Sequence, residues 1–111
     1  MAAAADRQKT LLEALGERIL VLDGAMGTML QQEALTAADF GGTSLEGCNE
    51  NLNRTRPDVV LDIHQAYLAA GADIIETNTF GGARIVLAEY GVEESAAEIN
   101  RAAAQLARQA R

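Results

Sequence analysis

At 111 residues, nearly half of them apolar, the chain is close to the usual size of one small domain and too apolar for a disordered class. A formal charge of −7 excludes the basic footprint of a nucleic-acid binder. No apolar run approaches the ~20 residues of a membrane helix, and Ala2–Ala5 has neither the basic flank nor the length of a signal peptide. The expected compartment is the cytoplasm, with no nucleic-acid or membrane partner.

The first predicted element is a short helix over Asp6–Leu15. Leu11, Leu12 and Leu15 share a face, Gly16 is a suitable stop, and a helix this short must dock to be stable. Ile19 to Leu22 then run apolar without a break, the pattern of a strand (Arg18–Leu22) buried on both faces in a parallel sheet. The run stops at Asp23, and Gly24 and Gly27 follow, so the backbone there can take positive φ or approach a ligand closely. Two readings fit Asp23. It either caps its own turn, or it is an acid at the C-terminal end of a parallel strand, where α/β folds meet ligands. Thr28–Ala34 predicts a helical turn, with Met26, Met29 and Leu30 filling a core gap or lining a pocket.

Thr36–Arg56 reads as the longest irregular segment, rich in glycine, serine and asparagine. Its amides at Asn49, Asn51 and Asn53 suit either a simple turn loop or a loop packed over a site. Thr55-Arg56-Pro57-Asp58 combines a possible cap, a first-turn proline and an acid, which predicts a helix start. Val59, Ile63, Ala66, Tyr67 and Ala70 supply its apolar stripe, with His64 and Gln65 off it, and Gly71 ends the run.

Asp73–Phe80 predicts a second strand, apolar at Ile74 and Ile75 and polar at Glu76, Thr77, Asn78 and Thr79. Strands joined through a helix are almost always parallel with a right-handed crossover. Asp23 and the Glu76–Thr79 cluster therefore belong at the same end of neighbouring strands, where polar clusters mark binding sites. Short helical segments follow over Ala83–Tyr90 and from Glu93, the last with acids in its first turn and Ile99, Ala103, Leu106 and Ala110 at helical spacing. Cys48 and His64 show no metal-ligand spacing and read as a loop thiol and a helix residue. Gly24-Ala25-Met26-Gly27 fits neither the dinucleotide fingerprint nor the phosphate-loop spacing.

Four segments carry a specific resemblance: Leu20–Met29 with its Asp-Gly-Ala-Met-Gly-Thr turn, Asn49–Pro57, Asp62–Tyr67, and Gly71–Phe80 with its Glu-Thr-Asn-Thr-Phe end. Together they resemble the N-terminal homocysteine-binding domain of the cobalamin-dependent methionine synthases, a branch of the homocysteine S-methyltransferase family. The resemblance covers nearly everything from Arg18 on, dividing the chain into a helical extension (1–17) and a partial barrel domain (18–111).

The fold implied is α/β, the N-terminal portion of a (β/α)8 TIM barrel with about two parallel strand–helix units. The activity implied is methyl transfer from methylcobalamin, itself charged from methyltetrahydrofolate, to the homocysteine thiol, giving methionine. In the family the first-turn acid holds the substrate ammonium and the N–H groups after it receive the carboxylate. That carries over to Asp23, and to Gly24 and Ala25, with Glu76, Asn78 and Thr79 shaping the pocket. Zinc and cobalamin are the implied cofactors, and homocysteine and the folate, cobalamin and reactivation domains the implied partners. A barrel takes about 250 residues. The family's zinc cysteines lie on late strands, so no metal ligand or catalytic residue is expected here, and the isolated chain is expected to be inactive. The competing expectation is a small non-catalytic module or remnant that binds homocysteine or another amino acid.

Overall fold

The computed structural model describes the backbone of residues 4–111 and the side chains from Thr10 onward; residues 1–3 of the expected 1–17 extension lie outside the described residues. The α-helices are α1 (Ala4–Glu17), α2 (Met26–Gln31), α3 (Ala37–Phe40), α4 (Leu52–Thr55), α5 (Pro57–Ala69), α6 (Arg84–Leu87) and α7 (Ala96–Gln109). Among the described residues no helix is long and apolar enough to cross a membrane.

The core forms where α4, α5 and α7 pack together, with α2 against α5 and α3 against α4. On α7, Ile99, Ala103 and Leu106 recur every three or four residues and are buried as one stripe. Leu106 joins Val59, Val60 and Ile63 of α5 and Leu52 of α4 in one cluster, with Leu30 and Phe40 closing it. Each such side chain stabilises the fold by roughly 1.5–3 kcal/mol when fully buried. A second cluster of Cys48, Leu87 and Ile99, flanked by Tyr90 and Val92, docks residues 84–95 onto the start of α7.

The buried face of α5 is rotated from the expected stripe. Ala66 and Ala70 face solvent, whereas Val60 and His64 are fully buried. The cause is double coverage: α7 and α2 both pack on α5, which widens its buried sector to Val60, Ile63, His64 and Tyr67. The expected Thr55 cap also differs. Thr55 closes α4, its hydroxyl donating to the Asn51 carbonyl at 3.3 Å, and Arg56 is the residue before Pro57. The Arg56 guanidinium pairs with Asp58 and Asp39 at 2.9 and 2.7 Å.

The segment read as irregular is folded throughout, into α3, α4 and single turns at Thr43–Leu45 and Asn49–Asn51. Asp39 accepts from the Thr36 N–H and hydroxyl at 2.8 and 3.0 Å, fixing the entry to α3. Gly41, at φ +111°, stops it in the left-handed region that favours glycine. Asn51, buried, then donates to the Phe40 carbonyl at 2.7 Å. Buried amides thus satisfy a backbone that neither ladder nor long helix would.

The two apolar runs lie extended beside each other and meet in one parallel bridge, Leu22 with Ile74. Three backbone hydrogen bonds join them: Asp73 and Ile74 N–H to the Val21 carbonyl (2.8 and 3.2 Å), and Asp23 N–H to the Ile74 carbonyl (2.9 Å). Arg18 makes a bidentate pair with Asp73 (3.0 and 2.8 Å), whose carboxylate also accepts the Val21 N–H at 2.9 Å. Burial on both faces is not seen. Ile19 is 89% exposed and Val21 and Leu22 about half exposed, since no described element covers them. Leu11, Leu12 and Leu15 of α1 are likewise open, so the helix expected to dock presents its leucines to solvent.

Candidate functional site

The turn after Leu22 and the segment after Ile75 open onto one cleft of about 360 Å³. All six residues singled out from the sequence line it: Asp23, Gly24, Ala25, Glu76, Asn78 and Thr79. Met26 and Gly27 extend one wall, Asn49 and Glu50 form another, and Phe80 stands at the rim, fully exposed. The volume falls in the range of small-molecule sites.

Asp23 ties the two walls together. Its N–H donates to the Ile74 carbonyl, and its carboxylate accepts the Glu76 N–H at 3.1 Å. Beyond it, the N–H groups of Gly24 and Ala25 have no acceptor among the described residues. An acid next to two free N–H donors is complementary to a zwitterion, with an ammonium on the carboxylate and a carboxylate on the N–H groups.

The turn rests on α5. The Tyr67 hydroxyl donates to the Ala25 carbonyl at 2.9 Å. A Cβ on Gly24 would lie 2.9 Å from the Tyr67 Oη and 3.1 Å from Cε1, so Gly24 is needed for this close approach. The positive φ expected at this glycine is not seen, because Gly24 is not among the positive-φ glycines; what requires a glycine here is the side chain beneath it.

The second segment divides its residues between cleft and scaffold. Glu76 and Thr77 are exposed, and the Thr77 and Thr79 hydroxyls are 2.8 Å apart. Asn78 is buried. Its amide donates to the Asn49 carbonyl and to Asn53 Oδ1, both at 3.0 Å, while Asn53 donates back to the Asn78 carbonyl at 2.9 Å. The Asn78 side chain therefore holds the cleft wall rather than presenting free donors to it.

Glu50, which the sequence hid in a run of amides, is a buried carboxylate in the lining, and it accepts the Gly81 N–H at 2.9 Å. Tyr67 was legible only as a core position. His64, one turn earlier on α5, is fully buried with neither ring nitrogen hydrogen-bonded. Burial lowers its pKa, and the negative charge of Asp23 works in the opposite direction. Cys48 is sealed in the second core cluster, where burial pushes its thiol up. Among the described residues no three His, Cys, Asp or Glu side chains gather to hold a metal.

The homocysteine S-methyltransferase family matches residues 20–111, which takes in both cleft segments and the helices α2 to α7. The chain is 50% identical over 98 residues to a protein named methionine synthase from Mycobacterium leprae, and 49% identical over 98 residues to its namesake from Mycobacterium tuberculosis. Each match covers 88% of this chain and 8% of the relative, so the chain spans about a twelfth of the length of these curated relatives. Identity at this level, over the segments that build the cleft, makes the chain a member of the homocysteine S-methyltransferase family.

Proposed function

We propose that the cleft binds homocysteine and that the chain is the first part of the homocysteine-binding barrel of a methionine synthase. The observation that carries this reading is the Asp23 carboxylate beside the free N–H groups of Gly24 and Ala25, facing Glu76 and Thr79. In it the Asp23 carboxylate takes the substrate ammonium and the two N–H groups take the carboxylate, which leaves the thiol end toward the open side. A parallel bridge whose two segments are joined through α5 supports a (β/α)8 origin for residues 18–111, with 1–17 as a helical extension.

The activity proposed for the whole protein is transfer of a methyl group from methylcobalamin to the homocysteine sulfur, with the folate, cobalamin and reactivation domains as partners. When bound, zinc holds a thiol as thiolate at neutral pH. The donors among the described residues do not fit that ion: Cys48 is inside the core, and the acids of the cleft gather no third donor group. The role of the chain is therefore to bind and orient the amino-acid end of the substrate.

Calorimetric titration with homocysteine tests the reading. Binding is expected, and Asp23→Ala should weaken it by tenfold or more, as loss of a charge-assisted hydrogen bond typically costs ~1.5–3 kcal/mol. An affinity unchanged by the substitution would reject it.

A further inference from the structure

We infer that Tyr67 is a positioning residue for the substrate carboxylate, acting through the Ala25 peptide. The inference rests on the reading of Asp23–Ala25 as the turn that holds the amino-acid end.

The turn is pinned at both ends and by different elements. Asp23 is fixed from the side by the extended segment, through the Ile74 carbonyl and the Glu76 N–H. Ala25 is fixed from below by α5, through the Tyr67 hydroxyl at 2.9 Å. Between them Gly24 lies on the Tyr67 ring, with the space for a Cβ already filled by Oη, Cε1 and Cζ. The turn cannot sink toward α5, because the ring is there, and it cannot lift without breaking the hydrogen bond to Ala25.

This matters for the donors because a peptide group is planar and trans. Holding the Ala25 carbonyl toward α5 fixes the Ala25–Met26 peptide plane on one side of the Gly24–Ala25 peptide, and the ring under Gly24 limits that peptide on the other, so Tyr67 bounds from both ends the peptide that carries the Ala25 N–H. Donors fixed in advance bind an anion without the cost of ordering them. Tyr67 suits the task better than a residue that only fills space. It is half-buried rather than sealed, and its one polar atom is bonded to this turn and not to its own helix.

Tyr67→Phe keeps the ring under Gly24 and removes the hydroxyl. The test is calorimetry on the protein with two probes, homocysteine and homocysteine methyl ester, which lacks the carboxylate charge. The wild type should prefer homocysteine. In Tyr67→Phe the homocysteine Kd should rise roughly threefold to tenfold, the span of one neutral hydrogen bond, while the ester changes little. The preference for the acid over the ester should therefore shrink by about the same factor.

A loss of stability alone would leave that ratio where it was, and an unchanged ratio overturns the inference. Gly24→Ala gives an independent check should Tyr67→Phe fold poorly: it presses on the ring from the other side and should shrink the same ratio, and an unchanged ratio there counts equally against the inference. Asp23→Asn separates the two levels. If it leaves homocysteine affinity intact, the reading of the turn fails and the inference with it. If it weakens binding while Tyr67→Phe preserves the ratio, only the role of Tyr67 fails.

Discussion

The Glu76 N–H donates to the Asp23 carboxylate at 3.1 Å, so the acid proposed to hold the ligand also joins the two extended segments. The two duties can be separated by substitution. Asp23→Asn keeps an acceptor oxygen for the Glu76 N–H and removes the charge, whereas Asp23→Ala removes both. Homocysteine affinity should fall in both variants. Only the alanine variant should lose a further ~0.5–1.5 kcal/mol of stability, the typical net value of one hydrogen bond. Urea denaturation beside calorimetry reads the difference, and equal stability losses would show that the Glu76 contact contributes nothing.

Asn78 acts on the cleft from inside the wall. Asn78→Leu leaves Asn53 Oδ1 and the Asn49 carbonyl without their donor. The expected cost is about 1–3 kcal/mol of stability, the penalty for buried polar groups left unpaired. A fall in homocysteine affinity with no loss of stability would instead mean that the amide turns outward to meet the ligand.

His64 should make the protein less stable in mild acid. Its folded pKa is lowered by burial, so between that value and its ordinary value near 6.5 the unfolded chain binds the extra proton. Stability is full above about pH 6.5 and declines as the pH falls toward the folded pKa. His64→Leu removes two unpartnered nitrogens from the core and should be neutral or stabilising, with this decline abolished. Urea titrations from pH 7.5 to 5 check the slope, and an identical slope in both proteins would reject the assignment.

Asp73 titrates in the same sense as an isolated surface acid but at lower pH. The two hydrogen bonds from Arg18, and then the Val21 N–H, draw its pKa down to about 2. Its contribution is present above the ordinary carboxylate value of about 3.9 and is lost as the pH falls through about 2. Arg18→Gln should raise the Asp73 pKa toward the ordinary value, as read by carboxylate chemical shifts, and an unmoved titration would mean that the Val21 N–H alone holds it.

Much of the site was legible because its signals are local. A short apolar run that halts at an acid, twice, with a helix between, needs no tertiary information to place Asp23 and Glu76–Thr79 at one end. The stripe on α7 was legible for the same reason, since Ile99, Ala103 and Leu106 recur at helical spacing and are all buried. The residues that escaped are those whose surroundings come from elsewhere in the chain. His64 is buried because α2 and α7 both cover α5, and Glu50 is buried because Gly81 comes against it. Tyr67 looked like any other member of an apolar stripe, and only the position of Ala25 gives its hydroxyl a purpose. The order of the segment between α2 and α5 is not legible in sequence, because it rests on buried amides such as Asn51 and Asn53, which look like turn formers.

The seam between the two extended segments has a consequence for how the protein breathes. It is held by hydrogen bonds between residues more than fifty positions apart, and the apolar side chains along it are open to water. Such a seam opens by local unfolding at lower free energy than the α4–α5–α7 core, whose side chains are sealed. A small molecule spanning Asp23 and Glu76 touches both sides and would bind only the closed form. Its stabilisation would then appear first as slower amide exchange at residues 21–23 and 73–76, ahead of any shift in the global melt.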